Sequence, residues 1–302
     1  MVLRSLMVPV ACAVALVPCL LSQKTDVKRP PIVGVAHIAL KTNDLAAARN
    51  FYGHYLGFEE VSVGRTHGIA FKVNDHQYID VADTLKGDED RLDHIAFETT
   101  DARQLREYLG AQGVRVPASL QPDIDGDYSF MVEDPEGHGI EFVEYRQGST
   151  LSRNFGKALA KTRISERIIH CGFTIQDQAA ADRFYSDDLA FHAMWHGGMT
   201  DTKTDWVDMR VPDGPDWLEY MLNQPHPSVK TRGVMNHLAL GVSDVQAAYK
   251  MLQDRGLKMD GPPKIGRDGK WQLNLYDPNL MRVEAMEPKP VQPPCCSPIL
   301  DK

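Results

Sequence analysis

Four histidines recur in nearly the same setting: His37 opens "HIALKTND", His94 "HIAFETTD", His170 "HCGFTIQD" and His237 "HLALGVSD". Each is followed, in a later apolar run, by a carboxylate: Asp80 in "YIDVAD", Glu141 in "GIEFVEY", Glu219 in "WLEYML" and Glu284 in "RVEAME". Neutral imidazoles and carboxylates on rigid strands suit a divalent cation, and geometry with ligand type selects among zinc, nickel, manganese and iron. A single histidine in an apolar strand is more often a hydrogen-bonded core residue, and a single buried glutamate needs a structural partner. Four of each at matching offsets favour an ion, because burying eight ionisable groups without one is costly.

The elements that must carry these groups repeat with them. Each histidine has an aspartate seven residues on (Asp44, Asp101, Asp177, Asp244), a spacing that predicts a short strand, a turn, and a helix capped by that aspartate. The helical stretches "DLAAARNFYGHYLGF" and "DQAAADRFYSDDLAF" share a Phe-Tyr pair and a closing aromatic, Phe58 and Phe191. The other two, "DARQLREYLGAQGV" and "DVQAAYKMLQDRGL", run to Gly113 and Gly256, as expected for a left-handed glycine behind a helix. Alternating runs such as "IAFKV", "YSFMV", "TDWVDMRV" and "WQLNLY" read as strands. The second and fourth units also share an Asp-Pro turn, Asp134-Pro135 and Asp277-Pro278, ahead of the last strand.

The repeat implies an α+β chain of four βαβββ modules in two tandem pairs, over residues 32–145 and 166–287. Between them, residues 146–165 place Leu151, Phe155 and Leu159 at helical spacing, which predicts a linker helix. Residues 288–302 form a Pro-rich tail.

Composition narrows the partners. A formal net charge of -8 and a pI near 5.8 argue against nucleic acid and anionic membrane, and leave a small-molecule substrate as the expected ligand of a monomer or homodimer. Residues 1–22 pair Arg4 with the uncharged "LMVPVACAVALVPCLL", which reads as a secretory signal and predicts a secreted or periplasmic protein; an uncleaved anchor is the alternative. Outside that stretch the cysteines are Cys171, Cys295 and Cys296, neither a disulfide framework nor a zinc-finger spacing.

The four His-bearing first strands, "FYGHYLGF", and the endings "DPEGHGIEFVEY" and "DPNLMRVEAMEP" together resemble the vicinal oxygen chelate superfamily. That superfamily holds glyoxalase I, extradiol ring-cleaving dioxygenases, methylmalonyl-CoA epimerase, and fosfomycin and bleomycin resistance proteins. The resemblance implies that each pair curls into an open barrel-like sheet around a cleft, with metal ligands on the first and last strands of both units. By position it implies metal ligands at His170, Glu219, His237 and Glu284 and at His37, Asp80, His94 and Glu141; the first of these sets is the expected main site, because Asp80 in the other is one methylene shorter than glutamate. One divalent ion is then expected, or two if both clefts are filled.

Three reactions remain open at this point. A glyoxalase- or epimerase-like enzyme would leave two octahedral positions for a bidentate oxygen substrate, with Glu284 or Glu219 as general base beside a carbonyl. An extradiol dioxygenase would use His170, His237 and Glu284 on ferrous iron, but the family's tyrosine three residues before the Asp-Pro turn is here Asn274. A non-enzymatic sequestering protein would hold its ligand without catalysis. The expected substrate contacts are His196, Trp195, Trp206 and Trp271.

Overall fold

The computed structural model describes residues 27–62, 68–224, 226–228, 231 and 235–300. The leader expected over residues 1–22 lies outside the described residues. Among the described residues no helix is long and apolar enough to cross a membrane.

The first unit runs through β1 (Ile32–Thr42), α1 (Leu45–Ala48), β2 (Glu59–Val61), β3 (Gly68–Lys72) and β4 (Tyr78–Asp83). The second holds β5 (Leu92–Thr99), α2 (Ala102–Gln112), β6 (Tyr128–Glu133) and β7 (Gly139–Glu144). The third is β8 (Arg167–Thr174), α3 (Gln178–Asp182), β9 (His192–Gly197), β10 (Trp206–Arg210) and β11 (Trp217–Met221). The fourth is β12 (His237–Gly241), α4 (Val245–Asp254), β13 (Lys264–Ile265), β14 (Trp271–Tyr276) and β15 (Arg282–Met286). They assemble two curled sheets, ordered β2-β3-β4-β1-β5-β7-β6 and β13-β14-β15-β12-β8-β11-β10-β9. The mixed α+β architecture expected from the repeat is therefore present. The second unit keeps only a single bridge, Pro122 to Tyr128, where its third strand was expected.

The repeated aspartates perform the task their spacing implies. Asp44, Asp101, Asp177 and Asp244 accept hydrogen bonds from the backbone N–H groups of Ala47, Gln104, Ala180 and Ala247, satisfying helix donors that would otherwise lack partners. Beyond α1 and α3 the chain widens into π-helical turns, Arg49–Tyr55 and Arg183–Asp188. Leu56 N–H reaches back to Phe51 O, and Leu189 N–H to Phe184 O. The wider turn lets two adjacent aromatics, Phe51-Tyr52 and Phe184-Tyr185, both enter the core.

The linker is not the helix its spacing predicts. It contains one short 3-10 turn, Ser152–Asn154, and Leu151 is buried while Phe155 is exposed. Gly148, Gly156 and Ala158 take positive φ, which breaks a helical run on both sides of that turn. The fully buried Lys72 ammonium then draws the linker carbonyls of Asn154 and Lys157 to itself, with Asp75 as counter-ion. A cation that takes carbonyls from a helix-length segment competes directly with intrahelical bonding.

The two pairs are tied crosswise. Tyr52 of the first unit donates to Asp277 in the fourth, and Tyr185 of the third donates to Asp134 in the second, both at 3.0 Å. The two aspartates differ electrostatically. Burial pushes Asp134 up, but the hydrogen bond and charge of His138, 2.8 Å away, outweigh it and hold the carboxyl below its ordinary value. Asp277 lacks that histidine, Met281 standing at the corresponding place, and burial pushes it up to about 6. A carboxyl that binds its proton more tightly when folded contributes stability that is complete below the unfolded pKa, near 4, and lost as pH rises through about 6. Raising the pH from 4 to 7 should therefore cost the protein up to about 3 kcal/mol relative to Asp277→Asn, whose amide keeps an acceptor for the Asn279 and Met281 N–H groups. Urea unfolding of both proteins at the two pH values checks this, and parallel pH responses would contradict it.

Candidate metal centre

One register rule positions every candidate side chain. In each unit the His-bearing strand pairs in parallel with the last strand, and the histidine faces the residue two before the carboxylate: His37 with Tyr78, His94 with Gly139, His170 with Trp217, His237 with Arg282. Side chains two apart on a strand share a face, so histidine and carboxylate project together. The two His strands of a pair run antiparallel. His237 opposes Gly172, while Ala239 opposes His170, and this two-residue offset brings both imidazoles to one side of the sheet.

In the second pair His170, Glu219 and His237 form one group, and Glu284 stands against His170 just outside it. His170 Nε2 and His237 Nε2 are 3.0 Å apart. Glu219 Oε2 lies 2.9 Å from His237 Nε2 and 3.9 Å from His170 Nε2, and Glu284 Oε2 lies 3.6 Å from His170 Nε2. One donor atom each from His170, Glu219 and His237 fits within 4.8 Å of the others, so the group could hold a metal ion. Burial keeps both imidazoles well below their ordinary pKa, with Arg282 adding to the shift at each, so both are neutral ligands at pH 7. Burial raises Glu219 and Glu284 to about 7, against the opposing pull of Arg282 and Lys270.

The donor set fits a cation on a second ground. His237 Nδ1 is 2.8 Å from Met235 O, the outer-sphere carbonyl bond that leaves Nε2 free to ligate. Arg282 Nη2 is also 2.8 Å from that Nδ1 and can only donate, so carbonyl and guanidinium compete over the tautomer. His237 would hold a cation through Nε2 with its Nδ1 proton on the Met235 carbonyl.

In the first pair three of the four expected groups meet. Glu141 Oε2 is 3.2 Å from His37 Nε2 and 2.9 Å from His94 Nε2, and the two imidazole nitrogens are 3.1 Å apart. Asp80 is buried but falls outside this group. His94 Nδ1 bonds Asp93 at 2.8 Å and His37 stacks on Tyr78. Burial raises Glu141, but the hydrogen bonds and charges of His37 and His94 prevail and hold it well below its ordinary value. One donor atom each from His37, His94 and Glu141 also lies within 4.8 Å of the others, so this group too could hold a metal ion. The adjoining cavities differ in size, about 410 Å³ at the second site and about 100 Å³ at the first.

Two segments of the chain, residues 34–142 and 167–285, match the model of the Glyoxalase/Bleomycin resistance protein/Dioxygenase superfamily. The chain belongs to that superfamily. Solved structures place its fold in the same company. A variant of homoprotocatechuate 2,3-dioxygenase from B. fuscum is 20% identical, with a TM-score of 0.64 over 90% of this chain and 77% of that one. The Mn(II)-bound glyoxalase from Novosphingobium aromaticivorans is 18% identical, with a TM-score of 0.65 over 85% of this chain and 83% of that one. No curated protein matches the chain in sequence.

The larger cavity of this superfamily member sorts the expected substrate contacts by strand alternation. Trp195 and Trp206 line it, with His170, Glu219 and Glu284 at its floor. His196 follows Trp195 on β9, so it faces the other way; it is exposed and its backbone bonds Ser297. On β14 the residues facing the cavity are Gln272 and Asn274, which sends Trp271 toward the main core instead. Trp217, which packs on the His170 ring at a centroid distance of 4.9 Å, was not expected, nor were Asp208 and Arg282 in the lining. Trp217 and Arg282 each stand two residues before a candidate ligand carboxylate, Glu219 and Glu284, an offset visible in the sequence once the parallel pairing is known.

Proposed function

We propose that the chain is a divalent-metal-dependent enzyme of lyase or isomerase type, moving a proton beside a carbonyl of a small oxygenated substrate in the second cleft. The observation that carries this reading is Glu219, whose carboxylate lies 2.9 Å from His237 Nε2. Were His170, Glu219, His237 and Glu284 all to hold an octahedral ion, two positions would stay open, enough for two substrate oxygens but not for a bidentate catechol together with dioxygen. A divalent ion bound there would act as a Lewis acid, stabilising negative charge on a substrate oxygen.

The protein supplies the proton chemistry. Glu219 or Glu284 would serve as the general base, taking and returning the proton beside the carbonyl. Trp195 and Trp206 shield the site and offer flat apolar walls to the body of the substrate. Asn274 also lines the cavity, and its buried Oδ1 has no hydrogen-bond partner among the described residues, which suits a substrate hydroxyl. Export through the leader-like stretch and action as a monomer or homodimer belong to the same proposal.

Ring-cleaving oxygenation on Fe(II) is the second reading, supported by the presence of both histidines with Glu284. Deuterium exchange separates the two. A panel of α-hydroxy ketones and acyl thioesters, incubated in heavy water with Mn(II)- or Ni(II)-loaded protein, should gain deuterium at the carbon beside the carbonyl. Oxygen consumption with catechols on the Fe(II)-loaded protein, without such exchange, would overturn the assignment.

A further inference from the structure

The Pro-rich tail returns across the rim of the second cleft. Val291 N–H bonds Gly269 O at 2.8 Å, Cys295 N–H bonds Arg267 O at 2.7 Å, and Leu300 N–H bonds Met194 O at 2.8 Å. Ser297 Oγ accepts from His196 N–H and donates to His196 O, at 2.9 and 3.0 Å. Ile299 packs on the small apolar cluster of Ile169, Met194, Trp217 and Met286, and Trp217 carries the His170 ring. The tail therefore supports two walls of the cavity. It holds Arg267 by its carbonyl, and it holds Trp195, whose indole N–H donates to Cys295 O at 3.2 Å.

At the centre of this strap Cys295 and Cys296 are joined by a disulfide. Cys296 adopts φ 76°, a left-handed conformation that is costly for a side-chain-bearing residue. The ring closed through the two sulfurs restrains the backbone at this residue. Cys296 is exposed and Cys295 partly so, which leaves the bond open to soluble thiols. Arg267 Nη2 touches Cys295 Sγ at 2.6 Å and also pairs with Asp201, whose Oδ1 lies 3.4 Å from the same sulfur. Once the bond is reduced, the guanidinium favours a thiolate at Cys295 and the carboxylate opposes it.

We propose that Cys295 and Cys296 form a reversible thiol–disulfide exchange site that latches the tail over the rim of the second cleft. Two electrons and two protons from a dithiol reductant break the S–S bond and leave two thiols, while the reductant departs as its own disulfide. With the ring open, Cys296 is released from its left-handed conformation, and the bonds that Cys295 makes to Arg267 and Trp195 loosen with it. An oxidised thiol such as glutathione disulfide restores the latch.

The test uses the full chain, with iodoacetamide and peptide mapping before and after dithiothreitol, and amide hydrogen exchange under both conditions. The C-terminal peptide should take no label untreated and two after reduction, while the buried Cys171 stays unlabelled in both. Exchange at the Val291, Cys295 and Leu300 amides should quicken by about tenfold on reduction and slow again with glutathione disulfide. The Cys295→Ser, Cys296→Ser double variant should exchange fast whether or not reductant is present. Free thiols at 295 and 296 in untreated protein, or exchange rates that dithiothreitol leaves unchanged, would overturn the proposal.

Discussion

His237→Ala is expected to empty the second cleft of its metal and to lower turnover by ~10³-fold or more, since the ion's charge stabilisation amounts to several kcal/mol and each 1.4 kcal/mol is tenfold. The His237 imidazole is the hub of the cluster. Its Nε2 is 3.0 Å from His170 and 2.9 Å from Glu219, and its Nδ1 is fixed by the Met235 carbonyl. Removing it leaves one imidazole, His170, with Glu219 and Glu284 at 3.9 and 3.6 Å, and takes away the nitrogen that both His170 and Glu219 approach most closely. The counterpart variant His94→Ala should leave that metal in place, because the first cluster lies on the other sheet and Glu141 already has its charge balanced by His37 and His94. Elemental analysis of protein purified without added metal, beside activity on whichever substrate shows exchange, checks both. Equal metal content in wild type and His237→Ala would remove the assignment of the second cleft.

Gly172→Ala should abolish metal binding almost as completely, although the residue carries no ligand. A Cβ at this position would stand 2.1 Å from His237 Cε1 and 2.6 Å from its Nδ1, well inside van der Waals contact. The ring lies directly against the β8 backbone at the point where His237 and Gly172 face each other across the two strands. It can yield only by leaving Met235 O and Glu219. Overpacking of this kind typically costs about 1–3 kcal/mol, so the variant should fold with a lower melting temperature. It should retain far less metal than wild type while its circular dichroism is preserved. Full metal occupancy in a folded Gly172→Ala protein would show that the imidazole does not need this close approach to the strand.

Much of this architecture is legible in the residues because its signals are local. The caps at Asp44, Asp101, Asp177 and Asp244 follow from one side chain and a helix start three residues away. Period-two alternation assigns β6 and β14 without reference to their neighbours. The linker was illegible for the opposite reason. Leu151, Phe155 and Leu159 have helical spacing, but the competing partner for their segment's carbonyls, Lys72, lies far away in sequence and reaches the linker only after β3 is in its sheet. A hydrophobic pattern carries no information about a distant cation that takes over backbone acceptors.

The candidate site divides along the same line. Repetition of histidine and carboxylate at matching offsets is a property of the chain, and with the family resemblance it was enough to name His170, Glu219, His237 and Glu284 together. Which of the repeated groups actually meet was decided only in three dimensions, and both clusters could hold an ion. Asp80 has its place in the repeat but not in the first cluster, and the Glu141 carboxylate is shared between two imidazoles. His196 and Trp271 likewise lost their places to strand alternation, since a one-residue step on a strand turns a side chain to the opposite face. Sequence established which groups recur and on what elements; folding established which of them meet, because distance and burial, on which ligation and proton affinity depend, arise only when strands remote in the chain become neighbours.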